Sequence, residues 1–246
     1  MDSDILLSGR GLTRRYGGLV AVSGLDLDIR RNEILGLIGP NGAGKSTTFN
    51  LISGFVKPSS GSLFMDGVEV TGQSPERISR RGLVRTFQHG SLMKTMTVRD
   101  NLLIGAVGAL RGARRNERES RVLETADLLG LRSHLDHVAG VLPHGVQRLV
   151  SIGIAFAARP RLLCLDEPLT GLNQTEAAAT LGILERMRTE SGCSIMLVEH
   201  NMKAVMQVCE RIIVLHHGQL LATGTPAEIR SDERVISAYL GKRNEH

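Results

Sequence analysis

Gly39-Pro40-Asn41-Gly42-Ala43-Gly44-Lys45-Ser46-Thr47 is the stretch of this chain whose residue types and spacing most directly imply chemistry. It fits G-x-x-x-x-G-K-[ST], and it lies where that pattern has to lie, after the apolar run ILGLIG and before a helical one. Glycines let successive backbone N–H groups turn inward as an anion nest, and the following helix points its positive end at the same place. Lys45 reaches β- and γ-phosphates, and the Ser46 hydroxyl suits Mg²⁺. A second constellation, Leu162-Leu163-Cys164-Leu165-Asp166-Glu167-Pro168, is an apolar run that ends in two carboxylates. A strand of that kind delivers Asp166 to a sheet edge, where it serves a Mg²⁺ shell through water. Glu167, one residue on, is placed to polarise an attacking water.

The elements that position these residues follow from periodicity. ILLSGRGLTRRYG, Gly24–Ile29 and Glu33–Ile38 read as strands, with a turn at Arg30–Asn32. KPSSGSLFMDGVEVTG reads as turn, strand, turn at Asp66–Gly67 and strand. From about Pro75 to Gly140 the texture becomes rich in Arg, Leu and Ala, and in RESRVLETADLLGL the residues Val122, Leu123, Ala126 and Leu129 share one helical face. Strand, helix, strand, helix then resume in RLLCLDEP, EAAATLGILERMRTE, CSIMLVEH and MKAVMQVCE. A hairpin, RIIVLHHGQLLATG, and a helix from Pro226 complete the chain. Alternating strands and helices imply a largely parallel sheet with ligands at the strand C-terminal ends.

Composition narrows the function class. The 246 residues are 41% hydrophobic, enough for a full core, but only 3% aromatic with no Trp, which argues against a stacking platform for single-stranded nucleic acid. No run of about 18 apolar residues is present, and the N-terminus lacks a secretory pattern, so a cytoplasmic location is expected. Cys164, Cys193 and Cys209 stand singly among apolar neighbours and read as buried, reduced thiols. The net charge of +5 is concentrated in Arg77, Arg80, Arg81 and Arg85, and in Arg111, Arg114, Arg115, Arg118 and Arg121. The second group alternates with Glu117 and Glu119, as on a solvated helix face.

In order and interval these motifs resemble the nucleotide-binding subunits of ABC transporters, and the resemblance covers nearly the whole chain. Tyr16 precedes the phosphate loop. Gln88 in VRTFQH, Leu142-Pro143-His144-Gly145-Val146-Gln147-Arg148, the LLCLDEP strand and His200 in LVEHNM follow it. The resemblance implies that Tyr16 stacks on adenine, that Gln88 links Mg²⁺ and water to a membrane partner, and that His200 contacts the γ-phosphate of ATP. It also implies that Pro143, His144 and Gly145 are the signature facing nucleotide on a second ATPase subunit, identical or different. The fold expected is an α/β P-loop NTPase of RecA-like type, with an antiparallel β subdomain and an inserted helical subdomain. Residues 1–74 and 156–246 would form the core and 75–155 the helical part, all within one nucleotide-binding domain. The partners implied are transmembrane permease subunits and, indirectly, a periplasmic solute-binding protein, with no nucleic acid. The site of work would be the cytoplasmic face of the inner membrane, peripherally bound.

Within that family RRYGGLVAVSGLDLDI, TFNLISGFVKPSSG, RGLVRTFQH, MTVRDNLL and EHNMKAVM are similar to the branched-chain amino acid importers. The tail GTPAEIRSDERVISAYLG matches the C-terminal helix of that group. The lipopolysaccharide exporter's ATPase shares much of this texture and is the alternative, as is a nucleotide-gated module with little hydrolysis. The chain departs from the common pattern at Pro143 and His144, which replace Ser and Gly, and at Asn173, which replaces Asp. Pro143 brings neither a hydroxyl nor an N–H to a phosphate.

Overall fold

A computed structural model describes residues 4–86, 92–109 and 112–240. In chain order the elements are β1 (Ile5–Tyr16), β2 (Leu19–Arg30), β3 (Ile34–Ile38), α1 (Lys45–Ile52), β4 (Ser60–Met65), β5 (Val68–Glu69) and α2 (Pro75–Arg80). Next come β6 (Leu83–Arg85), α3 (Val98–Ala109), α4 (Arg115–Leu129), α5 (His144–Ala157), β7 (Leu162–Asp166) and α6 (Gln174–Ser191). Last are β8 (Ser194–Val198), α7 (Met202–Val208), β9 (Arg211–His216), β10 (Gln219–Gly224), α8 (Pro226–Ser231) and α9 (Glu233–Leu240). They divide into one unit of Met1–Arg81 with Ser194–His246 and another of Gly82–Cys193.

The first unit holds an antiparallel sheet in the order β2-β1-β4-β5, with Leu7 opposite Ile29 and Met65, and Leu12 opposite Leu25. It also holds the run β10-β9-β3-β8, in which β3 is parallel to both neighbours: Leu37 faces Val198 of β8 and Ile213 of β9. Every residue of β3 and β8 is buried. That is the composition expected of parallel strands covered on both faces, and it explains why ILGLI and SIMLV show no alternation. The continuous apolar run therefore ends at Ile38, directly before Gly39.

In the second unit β6 and β7 pair in parallel, with Leu83 opposite Leu162 and Arg85 opposite Cys164. β6 lies inside the segment whose texture reads as helical, where three residues are too short to register as a period; it is the strand that the family resemblance places before Gln88. Helices α3 and α5 pack closely, since a Cβ at Gly105 would stand 1.9 Å from the Ile154 carbonyl oxygen. Val122, Thr125, Ala126 and Leu129 of α4 are buried, while Leu123 is only half-buried.

Two further expectations change. Arg121 does not belong to a solvated face. It is 8% exposed, donates from Nη2 to the Phe156 carbonyl at 2.5 Å and from Nε to that of Ala157 at 3.2 Å, and lies over the Phe156 ring. It thus adds charged donors to carbonyls in the last turn of α5, where the helix's own N–H groups run out. The C-terminal segment from Pro226 is two helices, α8 and α9, broken at Asp232, whose Oδ1 accepts from the Arg234 N–H at 2.8 Å. The three cysteines are buried and free, as expected, and burial pushes the Cys193 thiol up to about 12. Among the described residues no helix is long and apolar enough to cross a membrane.

Candidate active site

The loop from Gly39 to Gly44 joins β3 to α1, and its glycines are forced. Gly39 has φ 153°, and a Cβ there would lie 2.3 Å from the Leu215 carbonyl oxygen; Gly44 has φ 99°, and its Cβ would meet the Ala21 carbonyl at 2.7 Å. An L side chain at either position is excluded both by backbone conformation and by the neighbouring main chain. The turn between β9 and β10 braces the loop from one side. Gly218 N–H donates to the Ala43 carbonyl at 3.0 Å, while its own carbonyl accepts from Ser23 N–H at 2.8 Å. Sequence reading did not single out this brace, because its parts are more than a hundred residues apart. Tyr239 of α9 also reaches the loop: it accepts from the Gly39 N–H, and burial pushes its hydroxyl up to about 12.

Lys45 opens α1 and folds back over the loop, its Nζ donating to the carbonyls of Gly39 at 2.7 Å and Pro40 at 3.1 Å. Asn41, Gly42 and Ser46 are exposed, Gly44, Lys45 and Thr47 half-buried, and Ala43 buried. The result is a cation held at the mouth of a helix N-terminus, an arrangement that attracts polyanions. Tyr16 ends β1 with 43% exposure, and the Arg14 guanidinium covers one ring face at 4.5 Å. His200 follows β8, is exposed, and donates its N–H to Oε2 of Glu199 at 3.2 Å. Asn201 caps α7 by accepting from Ala204 N–H.

In the second unit Asp166 stands at the C-terminal end of β7 and is 6% exposed. Glu167 follows with φ 48°, a left-handed backbone rare for a residue with a side chain, of the kind that clusters at functional sites. The loop after it is tied down by Arg148 of α5, whose Nη2 donates to the carbonyls of Thr170 at 3.2 Å and Glu167 at 3.4 Å. Arg85 of β6 brings Nη2 within 3.4 Å of Asp166 Oδ2. Burial pulls its guanidinium below the ordinary value, and the Asp166 charge offsets part of that. Neither arginine was singled out for the site from sequence, where Arg148 sits in a string of signature letters and Arg85 in a basic cluster.

Pro143 is the N-cap of α5 and, like His144, exposed; Gly145 is buried, and a Cβ there would meet Glu176 Oε1 at 2.7 Å. Gln147 Nε2 donates to the Leu142 carbonyl at 2.8 Å and closes the loop ahead of the helix. Asn173 caps α6: its Oδ1 accepts from Glu176 N–H at 3.0 Å, and Glu176 Oε2 accepts from Asn173 N–H at 3.1 Å. Asn and Asp cap equally well, so the substitution keeps this local job. Gln88 lies outside the described residues.

Ser46 and Asp166 offer hard oxygen donors, and a Mg²⁺ that keeps several waters and takes phosphate oxygens needs few protein ligands. Each of the two side chains is thus of a donor type that Mg²⁺ takes.

A parallel strand running into a glycine loop, a lysine and a helix N-terminus, together with a second strand that ends in adjacent carboxylates, defines a phosphate-binding-loop ATPase. Comparison with known proteins narrows the class. The ABC transporter family matches residues 22–170, and the branched-chain amino acid ATP-binding cassette transporter family matches residues 219–244. The high-affinity branched-chain amino acid transport ATP-binding protein BraF of Pseudomonas aeruginosa is 39% identical over 250 residues, covering 96% of this chain and 98% of that protein. The lipopolysaccharide export system ATP-binding protein LptB of Escherichia coli is 33% identical over 238 residues, covering 96% and 97%. The crystal structure of MJ1267, an ATP-binding cassette of an ABC transporter in its ADP conformation, superposes with a TM-score of 0.87 at 28% identity, covering 96% of this chain and 99% of that one. The chain belongs to the ABC transporter family, as an ATP-binding and ATP-hydrolysing subunit.

Proposed function

We propose that this subunit powers import of branched-chain amino acids or similar small polar solutes, bound peripherally to a permease pair at the cytoplasmic membrane face. The observation that carries the import reading is the match of residues 219–244 to the branched-chain cassette family, joined to the 39% identity with BraF. An exporter role like that of LptB has the lower identity, 33%.

In this reading Lys45 exchanges the carbonyls of Gly39 and Pro40 for β- and γ-phosphate oxygens, and the N–H groups of the loop and of α1 take the remaining charge. The uncovered face of Tyr16 takes adenine. Ser46 and Asp166, with Gln88, hold the Mg²⁺ that accompanies the nucleotide and neutralises charge on the phosphates. Glu167 orients the attacking water, and His200 donates to the γ-phosphate. Pro143, His144 and Gly145 present the start of α5 to the nucleotide of a second ATPase subunit. The protein thus supplies positioning and charge stabilisation, and closure and reopening of the subunit pair is the output passed to the permease. A periplasmic solute-binding protein delivers the cargo, and no nucleic acid takes part. The division into a core of 1–74 and 156–246 and a helical part of 75–155 belongs to the same proposal.

The test is reconstitution in vesicles with the permease subunits, the second ATPase subunit and a solute-binding protein. ATP hydrolysis stimulated by the loaded binding protein, with uptake of leucine, isoleucine or valine, is the expected result. Equal hydrolysis with and without permease at saturating ATP rules out the transport role.

A further inference from the structure

Arg85 stands apart from the basic cluster that contains it in sequence. Arg77, Arg80 and Arg81 are exposed, as cations without a fixed task commonly are, whereas the side chains of Arg85 and its partner Asp166 are only 13% and 7% exposed. Taking two charges out of water is costly, so a pair at this depth needs a reason beyond solubility. The pair is also built to hold its place. Arg85 and Cys164 are opposite each other on β6 and β7, and the next residue, Thr86, donates its N–H to the Cys164 carbonyl at 2.9 Å. The backbone that carries Arg85 is therefore fastened to the strand that carries Asp166, two residues from the carboxylate.

We propose that Arg85 is a positioning residue of the ATPase site, whose guanidinium holds the Asp166 carboxylate through Oδ2 in the orientation from which it serves the nucleotide-bound metal. The two oxygens of a carboxylate share one plane, so a bond at Oδ2 constrains where Oδ1 points. Without Arg85 the hold on Oδ2 is lost, and the carboxylate is freer to turn away from the orientation that serves the metal. That turn loosens the metal. The opposing effect is repulsion between Arg85 and the metal, which the phosphate charges of the nucleotide would counter. Orientation therefore dominates. The inference rests on the assignment of Asp166 to the metal shell made above.

The experiment measures Mn²⁺ affinity of the full-length ADP complex by electron paramagnetic resonance, which needs no turnover, and ADP affinity in EDTA by calorimetry. Arg85→Gln is expected to weaken Mn²⁺ about tenfold, as loss of an outer-shell partner does, and to leave metal-free ADP affinity within about twofold. Arg85→Lys keeps the charge on a shorter, single-point donor and is expected to recover much of the loss; it also serves if the Gln variant does not fold. In a background of Asp166→Asn, removing Arg85 should cost nothing more, since both act on one contact. Unchanged or tighter Mn²⁺ binding in Arg85→Gln, or a parallel fall in metal-free ADP affinity, overturns the proposal. If Asp166→Asn itself leaves Mn²⁺ affinity untouched, the assignment of Asp166 is what has failed, and Arg85 falls with it.

Discussion

The loop at Gly39–Gly44 and the loop ahead of α5 are both expected to meet phosphate from a helix N-terminus, yet they tolerate sequence change differently. At the first, main chain crowds the glycines: a Cβ on Gly39 or Gly44 would run into carbonyl oxygens of Leu215 or Ala21, and Gly218 and Tyr239 clamp the loop from neighbouring elements. At the second, Pro143 and His144 are exposed, and Gly145 is hemmed in by the side chain of Glu176 rather than by main chain. The contrast teaches where departures can accumulate. A nest made from backbone N–H groups needs its own backbone conformation, whereas a helix start offers its dipole whatever side chains precede it.

The comparison can be broken at several points. The largest effect is expected at Glu167→Gln, which keeps shape and loses the base. Phosphate release should fall about a hundredfold or more while ATP still binds, and sizing chromatography with Mg·ATP should show a closed dimer. Turnover at the wild-type rate would falsify the role of Glu167. Next is Lys45→Ala, which removes a charged bond to phosphate worth about 1.5–3 kcal/mol, so calorimetry should record an affinity loss of about ten- to a hundredfold. Unchanged affinity would show that the loop does not grip phosphate through Lys45.

The second loop should respond more mildly. In a complex whose other ATPase subunit carries Ser at the position of Pro143, the two nucleotide sites are unequal, because Pro143 omits a charge-assisted contact. Glu167→Gln should then cost more activity than the matching Glu substitution in the other subunit, and Pro143→Ser should narrow the gap by about tenfold or less. Equal losses from the two Glu substitutions would mean that the dipole and Gly145 compensate fully. The smallest change expected is at Asn173→Ala. It deletes a capping box, should lower stability by about 1 kcal/mol in urea unfolding, and should leave nucleotide affinity unchanged. A fall in affinity instead would give Asn173 a direct role.

Much of this was legible from residues in order. Gly39–Thr47 announces itself because a phosphate nest is local: consecutive residues make it, so its pattern survives in one dimension. The strands ending at Ile38 and Asp166 show as apolar runs, since parallel strands are buried on both faces. The break at Asp232 and the burial of Arg121 did not show, because each depends on something distant or brief. Arg121 looks like any basic residue on a helix until the carbonyls of Phe156 and Ala157 are seen above it.

By itself, then, the sequence determined the phosphate loop, the paired carboxylates and the alternation of strands and helices, all properties carried by residues a few positions apart. Tertiary structure alone decided which side chains support them. Gly218 and Tyr239 against the loop, Arg148 on the carbonyls after β7 and Arg85 on Asp166 are contacts between residues roughly twenty to two hundred positions apart. No local period encodes such a pair; it exists only once strand register and helix packing have brought its two members together.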